Sequence, residues 1–480
     1  MQKKNIHFET LGCKLNQVES EGAARVFVDA GFSVTMEPFT AATKVADDVV
    51  ACVINTCTVT AKAEQKARRI IRLLLTKCPN AVVVVTGCYA QLDRDEILAL
   101  GDRIVVLGGQ NKGTLADMPS VLNQNPETFG VELKNVLQDF FDSKKKLTKI
   151  NEISEPFRLS TDTFINHSRS SLKIQDGCNC VCTYCRIRLA RGKSVSLDAA
   201  SVIERVKALE NAGQKEVVIT TVNIAQYRGK WQDGTVNFAG LLRLILENTN
   251  SIGIRISSLY PEIVDEELGE IVSNPRVRPH FHISVQSGSD AVLAKMKRPY
   301  KIEAVYKAVK ILKKAKQNPF LACDIIAGFP GETDDDFALT MKMLEECGFA
   351  FVHAFPFSAR PGTEAFSMRP MVPNYITDKR ISALEEYNKK SKSEYINSFV
   401  GKTLPAVCET IHRARAALMR DRIVVHAVTE NFLHCQLVFA TDEKNVPEAG
   451  SEIELKVLRP LSDSERTGES DTFAQFLKKL

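Results

Sequence analysis

Two rhythms of hydrophobic and polar positions divide the chain. Over 1–130, short apolar runs alternate with stretches whose apolar positions recur every three to four residues. NIHFETLGC, VVACVINTC and AVVVVTGC read as strands, and 18–30, 63–77 and the segment after Cys88 read as helices. Such alternation predicts a parallel sheet covered by helices. The polar stretch 131–167, with Lys144, Lys145 and Lys146, reads as a linker carrying either a solvated charge run or an RNA contact. The strand-then-helix rhythm returns over 168–399, in six runs: SLKIQDG, KEVVITTVN, IGIRISS, HFHISVQSG, FLACDIIAGFP and FAFVHAFPFS. One helix between them starts at Thr333, with Asp334, Asp335 and Asp336 in its first turn, and ends near Gly348. From 400 to 460 four alternating runs (LPAVCETI, IVVHAVTE, FLHCQLVFA and EIELKVLR) predict a small all-β barrel. Residues 461–480 read as a polar, loosely ordered tail. The fold class is α/β: an N-terminal parallel α/β domain, a central set of six β/α units, and a small C-terminal β-barrel.

Cysteines sharpen this outline. In the N-terminal domain each strand closes on one: Cys13, Cys57 and Cys88. In a parallel sheet the carboxyl ends of the strands share one edge, where ligands bind, so three residues far apart in sequence can converge there. Asn16, Asn55 and Gln91 flank them, either as hydrogen-bond donors to a cluster or as loop caps. Cys52 and Cys78 lie inside a strand and near a helix end and read as core thiols. A second set, Cys178, Cys182 and Cys185, follows the first strand of the central domain in DGCNCVCTYCRIR. Three thiolates per iron–sulfur cluster leave one iron open, able to chelate the amino and carboxylate groups of S-adenosylmethionine (SAM). A structural zinc site is the alternative, although paired CxxC spacings suit zinc better. Cys180, inside the loop, reads as a bystander.

Composition narrows the setting. Thirteen cysteines, no signal-peptide pattern and no apolar run near the ~20 residues of a membrane span point to a reduced, cytoplasmic protein with no membrane partner. The net charge of +5 permits an RNA partner without demanding one. Arg68, Arg69 and Arg72 on the helix after Cys57, and Arg413, Arg415, Arg420 and Arg422 in the last domain, are candidate phosphate contacts. Solvated basic faces are the alternative for both groups. Over 400–480 there are 11 Lys and Arg against 12 Asp and Glu, so the ribbon at 413–422 is a local feature.

The motifs LGCKLNQVESE, VINTCTVTAKAEQKARR, TGCYAQ and CNCVCTYC, in this order, resemble the methylthiotransferase family of radical-SAM enzymes. GCKLNQ with CTVTAKAEQKARR is most similar to its tRNA threonylcarbamoyladenosine branch. The resemblance implies an open partial (β/α)6 radical-SAM barrel, a C-terminal RNA-binding TRAM domain, and two 4Fe–4S clusters on the two cysteine sets. It also implies two uses of SAM and methylthio transfer to carbon-2 of N6-threonylcarbamoyladenosine beside the tRNA anticodon. Flavodoxin or ferredoxin is the expected class of electron donor. Methylthiolation of isopentenyladenosine or of a ribosomal-protein aspartate, and a non-catalytic metal-stabilised RNA-binding protein, are the alternatives.

Tyr184, Thr221, Asn223, Ser284, Gln286 and Asp324 are the expected SAM contacts, with the 328–331 turn near the adenine. Ser284 and Gln286, two apart, are expected on one strand face. Arg191 resembles the arginine after the family's cluster loop and suits an anionic partner. The sequence departs from the family at Arg186, Ile187, Arg188 and Leu189, where apolar residues and a proline are usual, at Thr221 for glycine, and at Tyr260 for glutamate.

Overall fold

The computed structural model describes residues 4–145, 155–160, 170–413 and 422–480. Val49–Thr56 and Val82–Gly87 are buried along their whole length, as strands covered on both faces must be. With Asn5–Thr10, Ser33–Thr35 and Ile104–Val106 they form one five-stranded parallel sheet. In spatial order the strands run Ser33–Thr35, Asn5–Thr10, Val49–Thr56, Val82–Gly87, Ile104–Val106. Alternate side chains enter two cores. Ile6, Phe8, Val53 and Val84 meet Ala23, Ala24 and Phe27 of the helix Lys14–Asp29 on one face. Cys52, Ile54, Val83 and Val85 meet Ala67, Ile71 and Leu74 of the helix Ala61–Lys77 on the other. This is a doubly wound sheet, whose binding crevice opens beside Asn5–Thr10, where the connections diverge.

The expected linker begins as a helix, Gly130–Lys145, whose Leu133, Leu137 and Phe141 are buried on the first domain. Their spacing of four puts all three on one helix face. Lys144 lies 5.7 Å over the Phe140 ring, while Lys146 lies outside the described residues.

All six expected central strands are present: Ser170–Lys173, Glu216–Thr220, Gly253–Ile256 with its continuation Ser258–Leu259, His280–Gln286, Phe320–Ala327 and Phe351–Pro356. Every pairing among them is parallel. The helix Asp334–Cys347 starts at a Thr333 capping box with Asp336 and stops at left-handed Gly348, as the sequence signals require.

The C-terminal module is a closed barrel of five strands rather than four: Thr403–Arg413, Arg422–Thr429, His434–Ala440, Thr472–Lys479 and Glu452–Pro460 around the ring. The expected polar tail over 461–480 is therefore corrected, since its second half closes the barrel. This module docks on the foot of the central barrel. Phe432 packs 3.9 Å from the His280 ring and edge-on to Phe320, and the Arg255 guanidinium lies over its ring. Glu216 holds Arg255 at 2.7 and 2.9 Å and Arg278 at 3.2 Å, and Arg278 reaches Glu430. Glu216, His280 and Phe320 each begin a strand, so the contact is at the end opposite the strands' carboxyl mouth.

Candidate active site

Cys13, Cys57 and Cys88 stand together at the carboxyl edge of the first sheet. Two glycines make the approach possible. A Cβ on Gly12 (φ +98°) would come within 2.5 Å of Cys57 Cβ, and one on Gly87 (φ +98°) within 2.3 Å of the Thr56 carbonyl oxygen. Each glycine therefore supplies both a left-handed φ and a missing side chain. Cys13 is exposed, whereas Cys57 and Cys88 are buried. Burial, reinforced by the neighbouring Cys88 and Cys13, pushes the Cys57 thiol up to about 12. Burial also raises Cys88, against the pull of Arg191 and Lys112.

The flanking amides brace loops. Asn16 Nδ2 donates to the Leu11 and Thr56 carbonyls at 2.8 and 3.1 Å, tying the Cys13 loop to the Cys57 loop. Asn55 Nδ2 donates to the Asn16 carbonyl at 3.0 Å, and Gln91 Oε1 accepts from Gln110 N at 3.2 Å. Of the two roles expected for them, capping is the one that these contacts fill.

Behind this set lies a buried ion network joining the two domains. Glu19 of the helix Lys14–Asp29 accepts from Lys112 at 2.5 Å, Lys173 at 2.7 Å and Arg191 at 3.0 Å. Asp176 accepts from Lys173 at 2.7 Å and Arg191 at 2.9 Å. Arg191 Nη2 also donates to Asn16 Oδ1 at 2.7 Å, so the anionic partners expected for Arg191 are this chain's own carboxylates. Against burial, the three cations hold the Glu19 carboxyl well below its usual range, and Arg191 and Lys173 lower Asp176, also against burial. Three cations face two carboxylates, leaving one positive charge beside the cysteines.

The second set sits on the loop after Gln175–Asp176. Each of its sulfurs meets an N–H: Cys178 Sγ from Cys180 N at 3.4 Å, Cys182 Sγ from Arg298 Nη1 at 3.4 Å, Cys185 Sγ from Ile187 N at 3.4 Å. Asn223 and Gln226 amides reach both Cys178 and Cys180, at 3.7 and 3.4 Å and at 3.8 and 3.2 Å. Cys180, the extra thiol inside the loop, shares the Asn223 and Gln226 amides with Cys178. Hydrogen bonding to Cys180 is the main cause that brings the Cys178 and Cys182 thiols down to about 6, whereas burial pushes Cys185 up to about 12. Donors aimed at sulfur, and acidified thiols, are the chemistry that a thiolate-ligated cluster needs. The barrel set has sulfur donors and two acidified thiols, whereas the first set fits a cluster by donor type and convergence alone, with Cys57 and Cys88 raised. Among the described residues, no three His, Cys, Asp or Glu side chains close on a single metal ion.

Sequence reasoning missed much of the support around this loop. Gln175 donates to Gly177 O and Ser194 Oγ at 2.7 and 2.8 Å and accepts from Val222 N and Asn223 N at 3.0 and 2.9 Å, pinning the Asn223 turn to the cysteine loop. Arg298 is held over the Tyr260 and Tyr300 rings at 4.7 and 4.9 Å. Tyr260, a departure from the family pattern, is therefore one wall of an aromatic box around that guanidinium. Nothing in the spacing of these residues joins them to the cysteines.

The expected SAM contacts lie near this mouth. Tyr184 packs edge-on to Phe329, and Thr221 and Asn223 are buried where Glu216–Thr220 ends. Asp324 sits 3.0 Å from His282 Nε2. The register slips between Ile283 and Gln286, so the simple alternation expected to set Ser284 and Gln286 on one face is broken by a bulge. Gln286 has φ +73°, a strain of about 1–3 kcal/mol of the kind that gathers at functional sites.

The candidate RNA contacts separate. Arg68 is committed to Tyr89 OH at 3.0 Å and Glu96 at 2.8 Å, whereas Arg69 and Arg72 are exposed with Lys62 and Lys66 on the outer face of Ala61–Lys77. Arg422 is exposed at the start of its strand. Arg415 and Arg420, and the side chain of Arg413, lie outside the described residues.

Known proteins resemble this chain over most of its length. Residues 172–344 match the Radical SAM superfamily, and 5–109 match the uncharacterized protein family UPF0004. The chain is 41% identical to the threonylcarbamoyladenosine tRNA methylthiotransferase MtaB of Treponema pallidum (strain Nichols), over 94% of this chain and 98% of that protein. It is 30% identical to the protein of the same name from Bacillus subtilis (strain 168), over 95% and 94%. The tRNA-2-methylthio-N(6)-dimethylallyladenosine synthase of Anaplasma marginale (strain St. Maries) is 28% identical over 85% of both chains. This chain belongs to the radical-SAM methylthiotransferases, in the branch of the threonylcarbamoyladenosine tRNA methylthiotransferases.

Proposed function

We propose that this protein adds a methylthio group to carbon-2 of N6-threonylcarbamoyladenosine in tRNA. Two 4Fe–4S clusters would be held, one by Cys178, Cys182 and Cys185 and one by Cys13, Cys57 and Cys88. The observation that carries this reading is the pairing of two three-thiol sets, each at a strand-end crevice, in a chain of this family. When bound, the barrel cluster and SAM supply the electron and the deoxyadenosyl radical that open the carbon–hydrogen bond, and the second cluster supplies the sulfur. The chain's own residues hold and orient. Asn223, Gln226 and Arg298 direct N–H groups at the barrel sulfurs. Tyr184, Thr221, Ser284, Gln286 and Asp324 surround the SAM position, and Arg69 and Arg72 offer charge to the RNA backbone. Flavodoxin or ferredoxin would deliver the electrons, in the cytoplasm; no described helix is long and apolar enough to cross a membrane.

Nucleoside profiling of tRNA from a deletion strain tests the reading. The methylthio derivative of threonylcarbamoyladenosine should be missing, return with the wild-type gene and stay missing with Cys57→Ala. Persistence of that nucleoside in the deletion strain would refute it.

A further inference from the structure

A second group of ion pairs crosses between the domains, and its members adjoin both cysteine sets in the chain. Arg186 follows Cys185 in the chain, yet its side chain leaves the barrel for the N-terminal domain. Nη1 donates to Thr58 Oγ1 at 3.0 Å, Glu64 Oε1 at 3.1 Å and Asp93 Oδ2 at 3.1 Å, and Nη2 to Asp93 Oδ1 at 3.3 Å. Thr58 follows Cys57, and its hydroxyl donates to Glu64. Arg360, beyond the last barrel strand, pairs with Glu64 as well. Asp93 ends the short helix that Cys88 begins. The Arg186, Glu64 and Arg360 side chains are nearly fully buried. Two guanidinium groups meet two carboxylates, so the group carries no net formal charge, and among the described residues Arg186 Nε and Arg360 Nε are left buried without a hydrogen-bond partner.

We propose that Arg186 is a positioning residue that fixes the separation and mutual orientation of the two cysteine sets. The inference rests on the two-cluster reading above. From Cys57 to Cys185 the path runs through Thr58, one hydrogen bond and Arg186. Arg191 and Asn16 make a second link, toward Cys13. Two links at separate points resist rotation as well as translation. The planar guanidinium gripping both Asp93 oxygens adds a directional constraint that an ammonium lacks. Transfer of sulfur to a carbon activated at the barrel requires that carbon to meet both sets, and a misplacement of about 1 Å can cost about a hundredfold in rate. Loss of the link should spare each half of the reaction and impair their coupling.

The test uses holoenzyme with tRNA and compares Arg186→Gln, Arg186→Lys and Asp93→Asn with the wild type. Arg186→Gln and Asp93→Asn should keep wild-type iron and sulfide and wild-type deoxyadenosine formation. Their methylthio product per deoxyadenosine should fall, by about ten- to a hundredfold for Arg186→Gln, and the magnetic interaction between the two reduced clusters in electron paramagnetic resonance should weaken. Arg186→Lys, keeping the charge without the fork, should recover part of both. A wild-type product ratio and a wild-type magnetic interaction in Arg186→Gln would overturn the proposal. Should Arg186→Gln lose iron, Asp93→Asn decides: it removes the two-point grip on the guanidinium from the far end of the short helix that begins at Cys88, and a wild-type ratio there overturns the proposal equally. Wild-type enzyme holding only about four irons would instead refute the two-cluster reading itself.

Discussion

Glu19 shows how much one residue can hold. Its carboxylate takes three cations from two domains while nearly fully buried. Replacing it by glutamine leaves three buried cations facing Asp176 alone, which should destabilise the protein by about 3–5 kcal/mol, read as a lowered thermal unfolding midpoint. Its pH behaviour has a definite sign. Glu19 and Asp176 are held below their ordinary values, so their contribution is complete above the ordinary carboxylate range and is lost as pH falls through the lowered values. Lys173 is raised by Asp176 and Glu19 against burial, so its contribution is complete below the ordinary lysine range and is lost as pH rises through the raised value. Acidification should therefore lower the midpoint of the wild type more steeply than that of Glu19→Gln. At the barrel site, with a fourth thiol beside Cys178 and Cys182, the double variant Cys180→Ala/Cys182→Ala is the decisive one. It should hold about four irons rather than eight and form no deoxyadenosine. Retention of about eight irons would refute the ligand assignment. The cysteines were legible because cluster chemistry imposes residue type and spacing together. Arg298, Gln226 and Lys173 were not, since a hydrogen bond to sulfur or carboxylate can come from any distance along the chain.

Among elements, the helix Ala61–Lys77 combines support and contact. Thr60 caps it, Ala67, Ile70, Ile71 and Leu74 bury one face, and Lys62, Lys66, Arg69 and Arg72 line the other. Changing Arg69 and Arg72 to glutamine should flatten the salt dependence of tRNA binding by about 0.7–0.9 per lost phosphate contact, with SAM cleavage in the absence of tRNA unchanged. An unchanged salt slope in a folded variant would make this only a solvated face. Five of the six central strands were legible as largely buried runs between helical stretches, whereas Phe351–Pro356, where only Val352 is buried, was legible from its apolar and aromatic residues. The closing strand Thr472–Lys479 was not: TFAQFLKK buries only Thr472 and Ala474 and ends in exposed lysines, and the charged residues before it resemble a tail. The bulge before Gln286 was equally silent, because the residues on either side keep a strand-like alternation.

At the scale of the molecule, the two ends of the central barrel have different tasks. The mouth carries the cysteine loop and faces the first domain, while the foot is occupied by the turn around Phe432. Phe432→Ala should cost about 3 kcal/mol, the low end for an aromatic truncation because the ring is half-buried. It should also loosen the C-terminal barrel, seen as faster limited proteolysis before residue 403, with SAM cleavage retained. Sequence patterning divides the chain into these modules but says nothing of which end each one docks on, because docking depends on surfaces assembled from several distant segments.

The Arg186 group makes those modules poor units of exchange. Its members stand at 64, 93, 186 and 360, two in the first domain and two in the barrel. A hybrid that joined this barrel to a first domain lacking Glu64 and Asp93 would bury two arginines with no carboxylate between them. The converse hybrid would strand two carboxylates at the same seam. Neither half of the set can be swapped alone without an uncompensated buried charge, so recombination between relatives should succeed only where all four positions travel together.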